Sequence, residues 1–267
     1  MKRLLSIFLQ LAVAVAAFAF TTYEVPTRNL PSAGKVTIAV PEGYSEYQSQ
    51  RLPVVYLLNG HGGDNLSYSK FLNLDSLATA NQMILVCPAG LNSWYWNSVM
   101  DSTLRMEAYI TEDLVRWTDD NFLTIPDRNH RAITGLSMGG HGALWLALRH
   151  PDLFGSAGST SGGVDFTPWP KSWNIADRLG PEKGNERRWR EHTVTYLVDH
   201  SDPSQLNLII DCGTEDFFFD VNKKFDEQLT AKRIRHTFLT SPGIHNSEYW
   251  SKTIPVQLRF FGDCFRN

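Results

Sequence analysis

The chain is short of cysteine, of excess charge and, beyond its first twenty residues, of long apolar runs. Three cysteines among 267 residues, Cys87, Cys212 and Cys264, make neither a disulfide framework nor a paired-cysteine metal motif. The fold must hold by packing. Cys87 and Cys212 each end an apolar run, where a thiol behaves as a small buried hydrophobe, and all three cysteines are expected to be free. Lys and Arg number 25 against 28 Asp and Glu, a formal charge of -3, so a nucleic-acid partner is not expected. His61 and Asp64 lie close in sequence, but nothing else has ligand spacing, and no metal or cofactor is expected. A hydrophobic fraction of 42% with 20% charged residues excludes a disordered or fibrous chain.

What is present begins with the basic start Met1-Lys2-Arg3, followed by the almost wholly apolar stretch Leu4 to Phe20, in which Ala17-Phe18-Ala19 has the small-x-small form a signal peptidase reads. Residues 1–19 are expected to be a secretory signal peptide, and 20–267 one domain working outside the cytoplasm, in periplasm or medium. The alternative is an uncleaved anchor, and roughly 17 apolar residues sit at the lower limit for spanning a bilayer. No stable membrane insertion is expected after cleavage.

Apolar, β-branched runs recur at Lys35–Val40, Pro53–Leu58, Met83–Cys87, Arg131–Thr134, Leu206–Cys212 and His236–Leu239. Several are continuous rather than alternating, as in strands of a mostly parallel sheet covered on both faces. Between them, helical periodicity predicts helices around Tyr68–Ala80, Leu104–Phe122, Gly139–His150, Asp220–Lys232 and Asn246–Phe261, the last kinked or interrupted at Pro255. Alternating strand and helix predict an α/β layered domain. Ser159 to about Asp202, rich in Gly, Pro, Trp and charge, is too long for a simple connection and reads as an insertion over one face of the sheet.

Gly135-Leu136-Ser137-Met138-Gly139 follows a predicted strand and precedes a predicted helix. In that setting the serine stands on a tight turn that projects its hydroxyl, and side chains at the flanking glycines would collide with the neighbouring strand and helix. A serine hydroxyl needs a base, and the base needs an orienting group. On an α/β-hydrolase sheet these follow as Ser, then Asp or Glu, then His. His245 stands in the turn after the last strand and is the candidate base. His130 and His150 read as solvated or capping groups, and His141 as packing beside the nucleophile. For the acid, Asp211, Glu215, Asp216 and Asp220 compete. Asp216, in the loop just past the strand end, is best placed, with Glu215 next. The backbone N–H of Met138 and that of His61, in the glycine-rich loop Asn59–Asp64, are the candidate donors to an oxyanion. Asn59, Trp94, Trp96, Trp169 and Trp173 are candidates for a substrate pocket, since loop aromatics line pockets about as often as they fill cores.

These segments carry a resemblance: Gly135–Leu144, the strand exit Tyr56–Gly60, Asp211–Asp216 and Gly243–Trp250. From about residue 30 to the end the chain resembles the esterase group of α/β hydrolases that includes S-formylglutathione hydrolase, the feruloyl and acetyl-xylan esterases of carbohydrate esterase family 1, and the mycolyltransferases. The resemblance implies an α/β-hydrolase fold, with the insertion between the nucleophile helix and the acid-bearing strand. It implies Ser137, Asp216 and His245 as triad, with His61 and Met138 as oxyanion donors. Many relatives have His or Asp at the position of Asn59, a departure that bears on the geometry of the oxyanion hole or the shape of the pocket and not on the triad. The expected activity is a secreted serine carboxylic-ester hydrolase acting on small acyl or feruloyl esters of carbohydrates. Thioester hydrolysis of the formylglutathione type, acyl transfer, and a non-catalytic binding protein on the same fold are the alternatives.

Overall fold

The computed structural model describes residues 20–46 and 49–266, so the expected signal peptide lies outside the described residues. Among the described residues eight strands form one sheet: β1 (Thr21–Val25), β2 (Gly34–Ala39), β3 (Val54–Leu58), β4 (Ile84–Pro88), β5 (Arg131–Gly135), β6 (Ser156–Thr160), β7 (Asn207–Gly213) and β8 (His236–Ser241). Their order is β1-β2-β4-β3-β5-β6-β7-β8. β1 and β2 pair antiparallel, as do β2 and β4, and all pairings from β4 across to β8 are parallel. A parallel pair needs a crossover, and right-handed crossovers carry helices onto both faces of such a sheet.

β3 shows why its sequence is apolar without alternation. Val54, Tyr56 and Leu58 enter one core cluster, Val55 and Leu57 the other, and none of the five meets solvent. The second cluster is closed by Leu74 and Ala78 of the helix Leu74–Asn81 and by Ile254, Leu258 and Phe261 of the C-terminal helix Ser247–Phe265. The first is closed by the helices Met138–Arg149 and Phe219–Ala231 and by Val164, Phe166, Ile175, Leu179, Trp189, Val194 and Val198. Those seven lie in the expected insertion, which does fold over one face. Each large side chain buried this way contributes about 1.5–3 kcal/mol.

Four expectations need correction. Ser159 and Thr160 belong to β6, so the insertion starts at 161. β6 reads Ser-Ala-Gly-Ser-Thr and gave no strand signal, because the C-terminal helix comes too close for large residues: a Cβ on Gly158 would collide with Gln257 and Thr134. Tyr68–Ala80 is divided into a single turn, Tyr68–Lys70, and the helix Leu74–Asn81, which starts where the Asn73 side chain accepts the Ser76 N–H at 3.0 Å. The segment from Met106 to Asn121 passes through a π-helical stretch, Tyr109–Leu114. The C-terminal helix does not end at Pro255, its two sides of that residue being pinned by buried Ile254 and Leu258. Cys87 and Cys212 are buried, Cys264 is half-buried, and all three are free. Among the described residues no helix is long and apolar enough to cross a membrane.

Candidate active site

Ser137 joins β5 to the helix Met138–Arg149 with φ 58° and ψ -118°, a backbone conformation that side-chain-bearing residues rarely adopt. The neighbours hold it there. The Ser137 N–H donates to the Thr160 carbonyl at 3.1 Å, and the Ser137 carbonyl accepts the Gly163 N–H at 3.2 Å. The glycines of the turn are obligatory on contact grounds. A Cβ on Gly139 would strike the Leu58 carbonyl, and one on Gly135 would strike the backbone of Gly139.

On the far side of the site, the exits of β7 and β8 are stitched together. Thr214 N–H donates to the Ser241 carbonyl and Glu215 N–H to the Gly243 carbonyl, both at 3.0 Å. The Asn246 side chain then caps the C-terminal helix at the Tyr249 N–H. This arrangement sets His245 between two partners. Its Nδ1 lies 2.8 Å from Asp216 Oδ2 and its Nε2 2.9 Å from Ser137 Oγ. The Asp216 carboxylate is fully buried, and its Oδ1 accepts the Phe218 N–H at 2.8 Å. A carboxylate only accepts, so Nδ1 carries the proton and the Nε2 lone pair faces the serine hydroxyl. Phe217 and Trp250 pack on the imidazole with ring centres 4.3 and 5.0 Å away.

The rival groups are elsewhere. Asp211 lies within β7, where burial pushes its carboxyl up to about 6, and it accepts the Gln257 amide at 2.6 Å and the Thr160 hydroxyl. Glu215 is exposed, and Asp220 sits in the first turn of the helix Phe219–Ala231. His141 is fully buried beneath the site: it accepts the Trp96 indole N–H on Nε2 at 3.0 Å, so its Nδ1–H donates to the Gly163 carbonyl at 3.1 Å. Burial holds its pKa down to about 3, and it stays neutral. His130 pairs with Asp127 and His150 with Glu107.

The loop after β3 approaches the serine closely, since a Cβ on Gly60 would stand 3.3 Å from Ser137 Cβ. Among the described residues neither the Met138 N–H nor the His61 N–H donates to a protein acceptor. Ser137, His61 and His245 share a cleft of about 590 Å³ whose other walls include Lys70, Phe71, Trp173, Phe217 and Trp250. A larger hollow, about 900 Å³, lies at the opposite ends of β7 and β8 beside Asn207, Arg235 and His236, remote from the serine.

Of the five pocket candidates only Trp173 lines the cleft. Trp94 and Trp96 are buried, stacked on each other at 5.5 Å, because positive φ at Leu91, Asn92, Trp94 and Tyr95 turns the loop inward and drives its rings into the core. Asn59 is also buried, its Oδ1 accepting the Gly90 N–H at 2.9 Å and its Nδ2 donating to the Gly60 carbonyl at 2.8 Å. It braces the loop from behind. Trp169 packs against Trp173 and Phe218 outside the cleft. Phe71, Phe217, Trp250 and Lys70 were missed, although three consecutive phenylalanines directly after Asp216, in a loop, were a legible signal.

A family model, Esterase, described as "Putative esterase", matches residues 27–261. The chain belongs to this family. As a serine esterase by family it is an enzyme, which sets aside the non-catalytic alternative. It is 28% identical over 234 residues to S-formylglutathione hydrolase from Mus musculus, spanning 77% of this chain and 80% of that protein. Among solved structures, a ferulic acid esterase superposes with a TM-score of 0.79 at 26% identity, covering 92% of this chain and 98% of the other. S-formylglutathione hydrolase from Staphylococcus aureus superposes with a TM-score of 0.81 at 23% identity, covering 91% and 98%, a likeness of fold. The α/β-hydrolase fold read from the sequence is the fold these esterases share.

Proposed function

We propose that this family member is an extracytoplasmic serine carboxylic-ester hydrolase whose triad is Ser137, His245 and Asp216, acting on small acyl or feruloyl esters of carbohydrates. The observation that carries the reading is the hydrogen-bond chain from Ser137 Oγ through His245 to Asp216, opening onto an aromatic-walled cleft. Ser137 Oγ attacks the ester carbonyl while His245 Nε2 takes its proton. Asp216 holds the imidazole in the accepting tautomer and stabilises the imidazolium. The tetrahedral oxyanion falls to the N–H groups of Met138 and His61, each worth about 10²–10³ in kcat where such a donor is well aimed. The imidazolium then protonates the departing alcohol, and water, deprotonated by His245, clears the acyl-enzyme. Flat rings at Phe71, Trp173, Phe217 and Trp250 favour an aryl or sugar face. The basic, apolar, small-x-small start of the chain supports export, and N-terminal sequencing of protein from the extracytoplasmic fraction tests it: a start at about Phe20 is expected, an intact Met1 refutes it.

A thioester reading is favoured by the likeness to the mouse S-formylglutathione hydrolase. Initial rates of mature wild type and Ser137→Ala on matched acetyl, butyryl and feruloyl esters and one thioester separate the two. Serine-dependent activity peaking on acetyl or feruloyl esters supports the carbohydrate-ester reading, whereas a thioester peak replaces it. Acyl transfer shows as a sugar acceptor outcompeting water. Equal rates for the two proteins would remove the triad.

A further inference from the structure

The loop that carries the His61 N–H is tied down by side chains that take no part in the triad. The His61 imidazole Nε2 lies 2.9 Å from Asn174 Oδ1, across 113 positions of sequence. The Asn174 amide is oriented from its other end, because its Nδ2 donates to Asp177 Oδ2 at 2.8 Å. With the amide nitrogen so engaged, Oδ1 must face His61, and the His61 Nε2 carries the proton. That N–H is present on both the Nε2–H neutral imidazole and the imidazolium, so the tie does not depend on the charge of the ring. One residue further along, the Gly62 N–H donates to Asn92 Oδ1 at 2.6 Å. Both asparagines have left-handed backbones, φ 50° at Asn92 and 56° at Asn174, and Trp173 beside Asn174 has φ 52°.

Left-handed backbone is unfavourable at a non-glycine residue and persists where surrounding structure demands it. Here it achieves two things at once. The turn at 173–174 presents the Trp173 ring to the cleft and the Asn174 amide to the loop behind the candidate oxyanion donor. The Trp173 carbonyl is held from below by the Trp94 indole N–H at 3.1 Å, and the Asn92 carbonyl by Arg178 Nε at 3.3 Å. The insertion and the loop after β4 thus grip Gly60–Gly63 from two sides.

We infer that Asn174 and Asn92 are positioning residues for this esterase, with Asn174 acting through the His61 side chain to fix the direction of the His61 backbone N–H. The inference rests on the proposed assignment of that N–H to the oxyanion. The oxyanion develops only on the way to the transition state, so a misaimed donor loses stabilisation there that the ground state never had, and the loss appears in kcat and not in KM.

The test compares Asn174→Gly, the exchanged pair Asn174→Asp/Asp177→Asn, His61→Ala and the His61→Ala/Asn174→Gly double variant on the best ester substrate, with Tm measured alongside. Glycine accepts φ 56° but removes the acceptor, whereas the exchanged pair keeps an acceptor oxygen at 174 and a donor–acceptor bond between 174 and 177. Expected are a roughly 10-fold fall in kcat at unchanged KM for Asn174→Gly and for His61→Ala, no further fall in the His61→Ala/Asn174→Gly variant, and kcat within about twofold of wild type for the exchanged pair. Asn92→Gly should give a fall of the same kind through Gly62. If Asn174 served only the turn, Asn174→Gly would keep full kcat, and that result overturns the inference. Additive losses in the double variant overturn it as well. Ser137→Ala run in parallel keeps the two ideas apart: an unchanged rate there sinks the proposed mechanism, whereas a dead Ser137→Ala beside a fully active Asn174→Gly sinks only the positioning role.

Discussion

Asp211 and Asp216 stand five residues apart on β7 and the loop that follows it, both buried, and they do opposite things. Asp211 belongs to the floor beneath Ser137. It takes the Gln257 amide and the Thr160 hydroxyl, Gln257 in turn takes the Thr134 hydroxyl, and Thr160 also contacts the Thr253 hydroxyl at 2.8 Å. Every one of those side-chain bonds stays inside the protein, which ties β5, β6 and β7 to the C-terminal helix. Asp216 belongs to the mouth. One of its oxygens is used up on the Phe218 N–H, and the other goes to an imidazole whose second nitrogen faces the cleft. Burial is common to the two carboxylates, so burial does not separate structure from chemistry. What separates them is whether the chain of hydrogen bonds ends within the core or on a group that substrate can reach.

The comparison breaks first at Asp216. Asp216→Asn can donate where the carboxylate could only accept, which favours the wrong imidazole tautomer, and kcat should fall about 10⁴-fold with little change in Tm. A fall of less than tenfold would mean that the mouth and floor carboxylates do not differ as described.

Asp211→Asn is the converse experiment, read through stability. Burial raises the carboxyl from its ordinary 3.8 to about 6 in the folded protein. The folded state therefore holds the proton more tightly than the unfolded state, so the stability this group contributes is complete below pH 3.8 and is lost as pH rises through 6. Relative to Asp211→Asn, wild type should lose about 3 kcal/mol between pH 3.5 and 7. Urea unfolding of both proteins at several pH values measures the difference, and a pH-independent gap would show that Asp211 binds its proton equally well in the folded and unfolded states, against the effect of burial. Serine-dependent kcat of the folded variant should remain within tenfold of wild type.

At the cleft wall the effects are smaller. Phe217 is 47% exposed and packs on His245 at a ring-centre distance of 4.3 Å. Losing one aromatic contact is worth about 0.5–1.5 kcal/mol. Phe217→Ala should reduce the kcat/KM preference for feruloyl over acetyl esters roughly 3- to 10-fold. An unchanged ratio would place the aryl group against another wall.

How much of this was legible followed from which signals are local. The turn at 135–139 is held by distant partners, Leu58, Thr160 and Gly163, but its requirement for glycine either side of the serine is written within five residues, and the order of serine, acid and histidine follows from strand order, so the three groups that meet could be named from sequence. β6 could not, because its small residues answer to a helix a hundred positions later. The aromatic loop 94–96 was half-read for a related reason. Ring density is visible in sequence, but the run of positive φ that turns Trp94 and Trp96 inward is not. Asn59 has the same history: its place before a glycine is local, while the Gly90 N–H that claims its side chain comes from the next strand exit.

The smallest effect concerns Lys70, which brings a cation to the cleft wall. Lys70 is 64% exposed and its ammonium lies 3.5 Å from Asp64. An exposed pair of this kind contributes little to folding, so Lys70→Met should leave Tm unchanged. Its charge nevertheless faces the same opening as Ser137, where dissolved ions screen it over about 10 Å at 0.1 M salt. For an ester carrying a carboxylate on its alcohol side, KM should rise roughly 2- to 3-fold in Lys70→Met at low ionic strength and converge with wild type at 1 M salt, where the screening length shrinks to about 3 Å. An uncharged ester of the same size should show no change at either salt. Equal responses from the two esters would assign Lys70 to the loop it sits on, with Asp64, and leave substrate choice to the rings.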